Sequence, residues 1–151
     1  MAAATDATIA IRVARDDDAA ALADLSSQLG YPVDAASMRE RLARVLAARV
    51  GEVYVAVDVQ DRVVGWTHVV PRLQLEDAPF AELAGLVVDE SARGLGVGAT
   101  LLAAAENWAR EQGFASLRVR SNVLRERAHR FYEREGYVRI KSQAMFRKVL
   151  T

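Results

Sequence analysis

The chain has 151 residues, 52% of them apolar and 26% charged, with 20 basic and 20 acidic side chains and no cysteine. That length and composition suit one soluble domain over residues 1–151 with a real core, and exclude a disordered chain. Zero net charge speaks against a dedicated nucleic-acid binder, and the lack of cysteine excludes disulfides, thiolate metal sites and a cysteine nucleophile.

The amino-terminal stretch MAAATDATIAIRVARDDD has no apolar run of signal-peptide length, and no run of 18 apolar residues occurs elsewhere. The expectation is a cytoplasmic protein without a membrane partner. Residues 8–15, TIAIRVAR, alternate like a strand. One of Asp16, Asp17 and Asp18 is expected to cap the helix that follows, which stops at Gly30. Asp34 reads as the N-cap of a second helix ending at Gly51. Segments 53–60 and 62–70 read as two strands joined tightly around Asp61. Pro71 and Pro79 bound an expected loop, and 80–88 reads as a strand with Gly85 inside it, a sign of a bulge or a close backbone approach.

Residues 92–98, ARGLGVG, place Gly94, Gly96 and Gly98 at every second position, directly before a helical pattern from about 97 to 112. Glycine costs backbone entropy, so the bare backbone must be needed. Unpaired amides at a helix start attract an anion, and glycines let a phosphate reach them. A P-loop is excluded, because Gly98 is followed by Ala99 and Thr100 and no lysine. Gly94, Gly96 and Ala99 fit the dinucleotide spacing, but three strands precede the one leading into the motif, and the next strand ends in Arg120-Ser121-Asn122, with no carboxylate for a ribose. R-x-x-G-x-G, at Arg93, Gly96 and Gly98, is the remaining pattern. Further on, 114–121 reads as a strand, 124–136 as a helix stopped by Gly136, and 137–150 as one or two final strands. The order is β-α-α-β-β-β-α-β-α-β, an α/β fold with helices packed on a mixed sheet.

Two segments and this order resemble the GNAT superfamily of N-acetyltransferases. LVVDESARGLGVGATLL is similar to the family's pyrophosphate loop, and AHRFYEREGY (128–137) to its A-x-x-F-Y-x-x-x-G-F/Y segment. The resemblance implies the GNAT fold: a mixed twisted sheet of six to seven strands with about four helices on its faces. It implies acetyl-CoA as co-substrate, with the pyrophosphate on Arg93, Gly94, Leu95, Gly96, Val97, Gly98 and Ala99. The pantetheine arm would pair with Leu86, Val87 and Val88, the amide of Val87 facing the thioester carbonyl. Tyr132 matches the family's general acid, a phenol able to protonate the departing thiolate. Because neighbours on a helix lie about 100° apart, Phe131 is expected to pack inward and Tyr132 to point at the cofactor.

Glu82 is the candidate base, with His68 and Tyr31 in reserve, and His129 reads as structural. The family's asparagine position is occupied here by Arg125, with Asn122 three residues earlier. The resemblance puts Asn122 and Arg125 among the coenzyme contacts, and the segment SNVLRERAHRFYEREGY is nearest to small-amine members such as aminoalkylphosphonate and aminoglycoside acetyltransferases. The expected partner is a small-molecule primary amine, drawn by Gln28, Tyr31, Asp34, Glu76 and Asp77. A protein acetyltransferase and a non-catalytic acetyl-CoA sensor are the alternatives, and family habit adds a possible homodimer. Two histidines, no cysteine and no GxSxG elbow leave no metal site and no acyl-enzyme; direct transfer is the simplest chemistry.

Overall fold

A computed structural model describes residues 8–151; residues 1–7, part of the stretch read for a leader, lie outside them. The chain divides into an N-terminal unit ending at Val119 and a C-terminal unit from Arg120 to Thr151. In chain order the N-terminal unit has β1 (Ala10–Val13), α1 (Ala19–Gln28), α2 (Ala35–Ala48), β2 (Glu52–Val57), β3 (Val63–Gln74), β4 (Asp77–Val88), α3 (Val97–Glu111) and β5 (Leu117–Val119). Five strands form one sheet in the order β1-β2-β3-β4-β5, antiparallel except for the parallel β4–β5 pair.

Alternation along β2 sorts the core. Val53, Val55 and Val57 pack with Ala19 and Leu22 of α1 and Leu42 of α2, and Trp66 of β3 joins them. Ala56 points the other way and packs with Val64 and with Val97 and Leu101 of α3. The sheet is therefore covered by α1 and α2 on one face and by α3 on the other. Val64 and Gly65 both turn to the α3 face, because the β2–β3 register slips by a residue between Ala56 and Val57.

The region 71–79, expected as a loop, is mostly a long hairpin, with Pro71 opposite Ala81 and Gln74 opposite Asp77. The proline is tolerated for a physical reason. Its ring nitrogen faces away from β4, because the opposed Ala81 N–H points to β5, where it meets Ser116 C=O at 3.0 Å. The β2 ladder has already ended at Glu52–Val69, so no bond on that side is lost. Asp34 caps α2 as expected, accepting from Ser37 N–H at 2.7 Å.

Asp18 does not cap α1. Its carboxylate takes two bonds from Arg12, at 2.8 and 2.9 Å, and one from the Arg15 amide at 2.7 Å, tying β1 to the turn before α1.

In the C-terminal unit α4 (Glu126–Arg134) is the one regular element among the described residues. Residues 137–150 form no strand, so the sheet has five strands and not six or seven. The segment's apolar residues fail to keep a period of two: Met145 adjoins Phe146 and Val149 adjoins Leu150, and all four are exposed. Among the described residues no helix is long and apolar enough to cross a membrane.

Asp18 sets an acid limit on stability. Burial pushes its carboxyl upward, but the Arg12 and Arg15 bonds outweigh this and hold it below the usual carboxylate range. The stabilisation is complete above the unfolded value of about 3.9 and disappears as pH falls through the lower folded value. Asp18→Asn should cost about 3 kcal/mol at pH 7, since it leaves Arg12 unpaired. In denaturant melts the gap from wild type should close below pH ~4. Gly51 gives a second test. A Cβ there would overlap the Val69 carbonyl, and φ is +78°. Gly51→Ala should lower Tm by several degrees. Gly30→Ala, at φ +95° but with open space around it, should lower it less.

Candidate active site

β4 is paired to different depths on its two edges. Toward β3 the ladder continues to Val88–Gly65, and Asp89 N–H reaches Val64 C=O at 2.8 Å. Toward β5 the pairing stops at Leu83–Val119. The register shows why the strand changes course. His68 faces Gly85 and Val69 faces Leu83, so Ala84 is an extra residue on β4, a bulge beside the expected Gly85. Gly85 itself answers to a side chain: a Cβ there would come within 2.7 Å of the Trp66 ring. Close approach, not φ, demands this glycine.

The bonding of Asp89 sets the direction of the amides before it. Along an antiparallel strand alternate residues bond to the same neighbour, so Val87 is turned to β3, as Asp89 is. Leu86 and Val88 present their N–H and C=O groups on the edge that β5 has left. The amide expected to face a thioester, that of Val87, is thus committed to β3, and its neighbours face outward.

After β4, Asp89 caps a single 3-10 turn at Glu90–Ala92, accepting from Ser91 N–H at 2.9 Å. Gln28 at the end of α1 accepts from Glu90 N–H at 3.1 Å and holds this turn. Arg93 leans to Glu90 at 3.8 Å. Gly94 has φ +85° and Gly96 φ +80°, the left-handed region, and at either position the space a Cβ would take is open to 4 Å. Gly98 is already inside α3. The first helical bond runs from Thr100 N–H to Gly96 C=O at 3.0 Å, which leaves the amides of Val97, Gly98 and Ala99 ahead of the ladder. Gly96, the N-cap, has no side chain to cover them. The result is an uncapped helix start with partial positive charge and no Cβ in the approach, fit for a phosphate.

Glu82 lies opposite Val70, on the face of the sheet that α1 and α2 cover. Its side chain is largely buried, with Oε1 4.0 Å from Arg72 Nε. Trp66 and His68 stand on that same face, two residues apart. Neither the Trp66 indole nitrogen nor His68 Nε2, both buried, has a hydrogen-bond partner. Burial alone pushes the His68 imidazole below its usual value, which keeps it neutral at pH 7. Sequence reasoning ranks His68 behind Glu82 and passes over Trp66. The period-2 step from Trp66 to His68 to Val70, opposite Glu82, is the signal that finds them. Of the residues expected to draw an acceptor, several have structural duties: Gln28 on the 3-10 turn, Asp34 on α2, and Asp77 on Arg118 at 2.8 Å. Tyr31 is exposed.

Tyr132, Asn122 and Arg125 belong to the C-terminal unit. Burial pushes the Tyr132 phenol above its usual value, the charge of Arg125 pulling weakly the other way. The Tyr132 ring meets Phe131 edge to face at 5.2 Å and Tyr137 at 5.8 Å. Asn122 Oδ1 accepts from Leu124 N–H at 2.9 Å, and the His129 ring meets Asn122 C=O at 2.9 Å, a structural role for both. Arg125 is exposed.

Residues 19–137 match the acetyltransferase (GNAT) family. The chain belongs to that family. It is 34% identical over 144 residues, 93% of each chain, to aminoglycoside N(6')-acetyltransferase type 1 of Stenotrophomonas maltophilia. Over 58 residues, 38% of each chain, it is 45% identical to aminoalkylphosphonate N-acetyltransferase of Salmonella typhimurium. The fold matches an aminoglycoside N-acetyltransferase solved in complex with CoA, with a TM-score of 0.85 at 18% identity over 95% of this chain and 97% of that one. This GNAT chain is an acetyl-CoA-dependent N-acetyltransferase.

The glycine loop is open to direct test. Gly96→Ala adds a Cβ at a left-handed residue where the packed protein has room. Calorimetric titration should show acetyl-CoA binding weakened about tenfold or more, with Tm lowered by only a few degrees.

Proposed function

We propose that this acetyltransferase moves the acetyl group of acetyl-CoA directly to a primary amine of a small molecule. The observation that carries this is the relation to an aminoglycoside acetyltransferase along 93% of both chains. The uncapped start of α3, with Arg93 to Ala99, takes the coenzyme pyrophosphate. The outward amides of Leu86 and Val88 pair with the pantetheine arm and face the thioester carbonyl, with Val87 holding the strand to β3. Hydrogen bonds there stabilise the oxyanion of the tetrahedral intermediate. The Arg125 guanidinium supplies a further coenzyme contact, on a turn that Asn122 shapes.

The chemistry needs a neutral amine, an oxyanion donor and a proton for the leaving sulfur. The amine nitrogen attacks the carbonyl carbon, the C–S bond breaks, the thiolate takes the phenolic proton of Tyr132, and the proton that the new amide nitrogen sheds restores the phenol. A phenol held above its usual value is fully protonated at neutral pH, as an acid must be. Glu82, the expected base, has Arg72 Nε 4.0 Å from its Oε1, and we give its carboxylate the role of drawing the ammonium group to the site.

Thiol release from acetyl-CoA should be measured across aminoglycosides, polyamines, aminoalkylphosphonates and peptide N-termini. Release is expected with one small-amine class. Release with peptides alone would move the substrate to a protein, and coenzyme binding without release on any amine would make the chain a sensor. Tyr132→Phe should lower kcat about 100-fold with little change in acetyl-CoA affinity. In wild type the alkaline limb of kcat should lie above pH ~10 and vanish in that variant.

A further inference from the structure

Buried polar atoms in folded proteins nearly always have partners, so two neighbouring exceptions call for an explanation. Trp66 Nε1 and His68 Nε2 are both excluded from solvent and both without a hydrogen bond. They stand two residues apart on one face of β3, about 7 Å from Cα to Cα. His68 lies directly across from Gly85, at the bulge where β4 parts from β5. Trp66 closes over Gly85 from the same side. The orphaned atoms thus sit against the stretch of β4 whose outward amides begin one residue later. An indole nitrogen can only donate and a neutral imidazole nitrogen can accept, so the pair offers complementary bonds to one polar guest.

Glu82, on the same face, already has Arg72 beside it. His68 has no such commitment. Its imidazole is displaced by burial alone, with no charged group contributing, so neither Glu82 and Arg72 on this face nor Glu52 at the end of β2 sets its state.

We infer that His68 is the proton acceptor for the amine, with the Trp66 N–H donating to an acceptor oxygen of the same substrate beside it; the inference rests on the acetyl transfer proposed above. The ammonium N–H proton passes to the lone pair of His68 Nε2. The freed amine lone pair forms the new C–N bond at the acetyl carbon, and the C–S electrons leave with sulfur. The imidazolium releases that proton as the product leaves. Glu82 draws and orients the cation, and His68 removes its proton.

The test compares wild type with His68→Gln and Glu82→Gln, using the amine class that supports release. His68→Gln should lower kcat about 100-fold and abolish the acidic limb of its pH profile, with acetyl-CoA affinity unchanged. Glu82→Gln should raise KM for the amine and keep that limb. Trp66→Phe should likewise act on KM. The acidic limb of wild type should fall below pH ~6.5, the ordinary histidine value. A His68→Gln enzyme within about twofold of wild type, with its acidic limb intact, overturns the inference. If His68→Gln fails to fold, histidine-ring NMR of wild type decides. The His68 ring, identified as the one of two histidine signals left in His129→Gln, should titrate below pH ~6.5 and shift on adding the amine. No shift overturns the inference. Wild type that releases thiol with no amine refutes the proposed function by itself. In that case the same ring signal is read with the amine panel, and no response refutes the histidine role too.

Discussion

The site depends on where β4 loses β5. A parallel pair of three residues is short, and one extra residue, Ala84, ends it. Beyond Leu83 the strand keeps its bonds to β3 and offers its other edge to whatever can accept and donate as a strand does. An antiparallel ladder on one side and an open edge on the other give β4 rigidity and valence together. The same strand leads through a single short turn to the start of α3, so the open edge and the uncapped helix start form one continuous run of backbone. A ligand with amide-like groups at one end and phosphates at the other matches that run by polar chemistry alone. Few side chains take part, which is why an apolar stretch such as Leu86–Val88 can belong to a site.

The two faces of the sheet divide the work. α3 covers one face, and its first turn supplies both core residues, Val97 and Leu101, and unpaired amides. Burial of Val97 at the first helical position anchors the loop without any side chain entering the anion's approach. The face under α1 and α2 carries the polar residues Glu82 and His68 beside a wholly apolar cluster. The low polarity there is what keeps an imidazole neutral and makes an unpaired nitrogen costly, by about 1–3 kcal/mol each. A bond from the guest inferred above would recover that cost.

Much of this was legible in the sequence. The glycine spacing marked the loop, Asp34 marked a helix start, and Gly85 marked the neighbourhood of a bulge. Each rests on chemistry within a few residues. What depends on a distant partner was not legible. Pro71 reads as a loop boundary until β2 is seen to end two residues earlier. Asp18 reads as a cap until Arg12, six residues back, is seen to take its carboxylate. The 137–150 segment reads as strand by composition, yet pairing with one face buried needs a steady period of two, and its apolar residues do not keep one. Which amides of β4 point outward is a matter of register, and no side-chain pattern encodes it.

Gly85 cannot vary while Trp66 stands. The indole occupies the space a side chain at 85 would need, so any change from glycine there must be accompanied by a smaller ring at 66. Conversely, a smaller residue at 66 leaves a void above β4 that glycine cannot fill. The two positions form an epistatic pair, and the path between alternative solutions passes through a clash or a cavity. Because the pair straddles the bulge, drift in one strand's sequence is coupled to the shape of the open edge of β4.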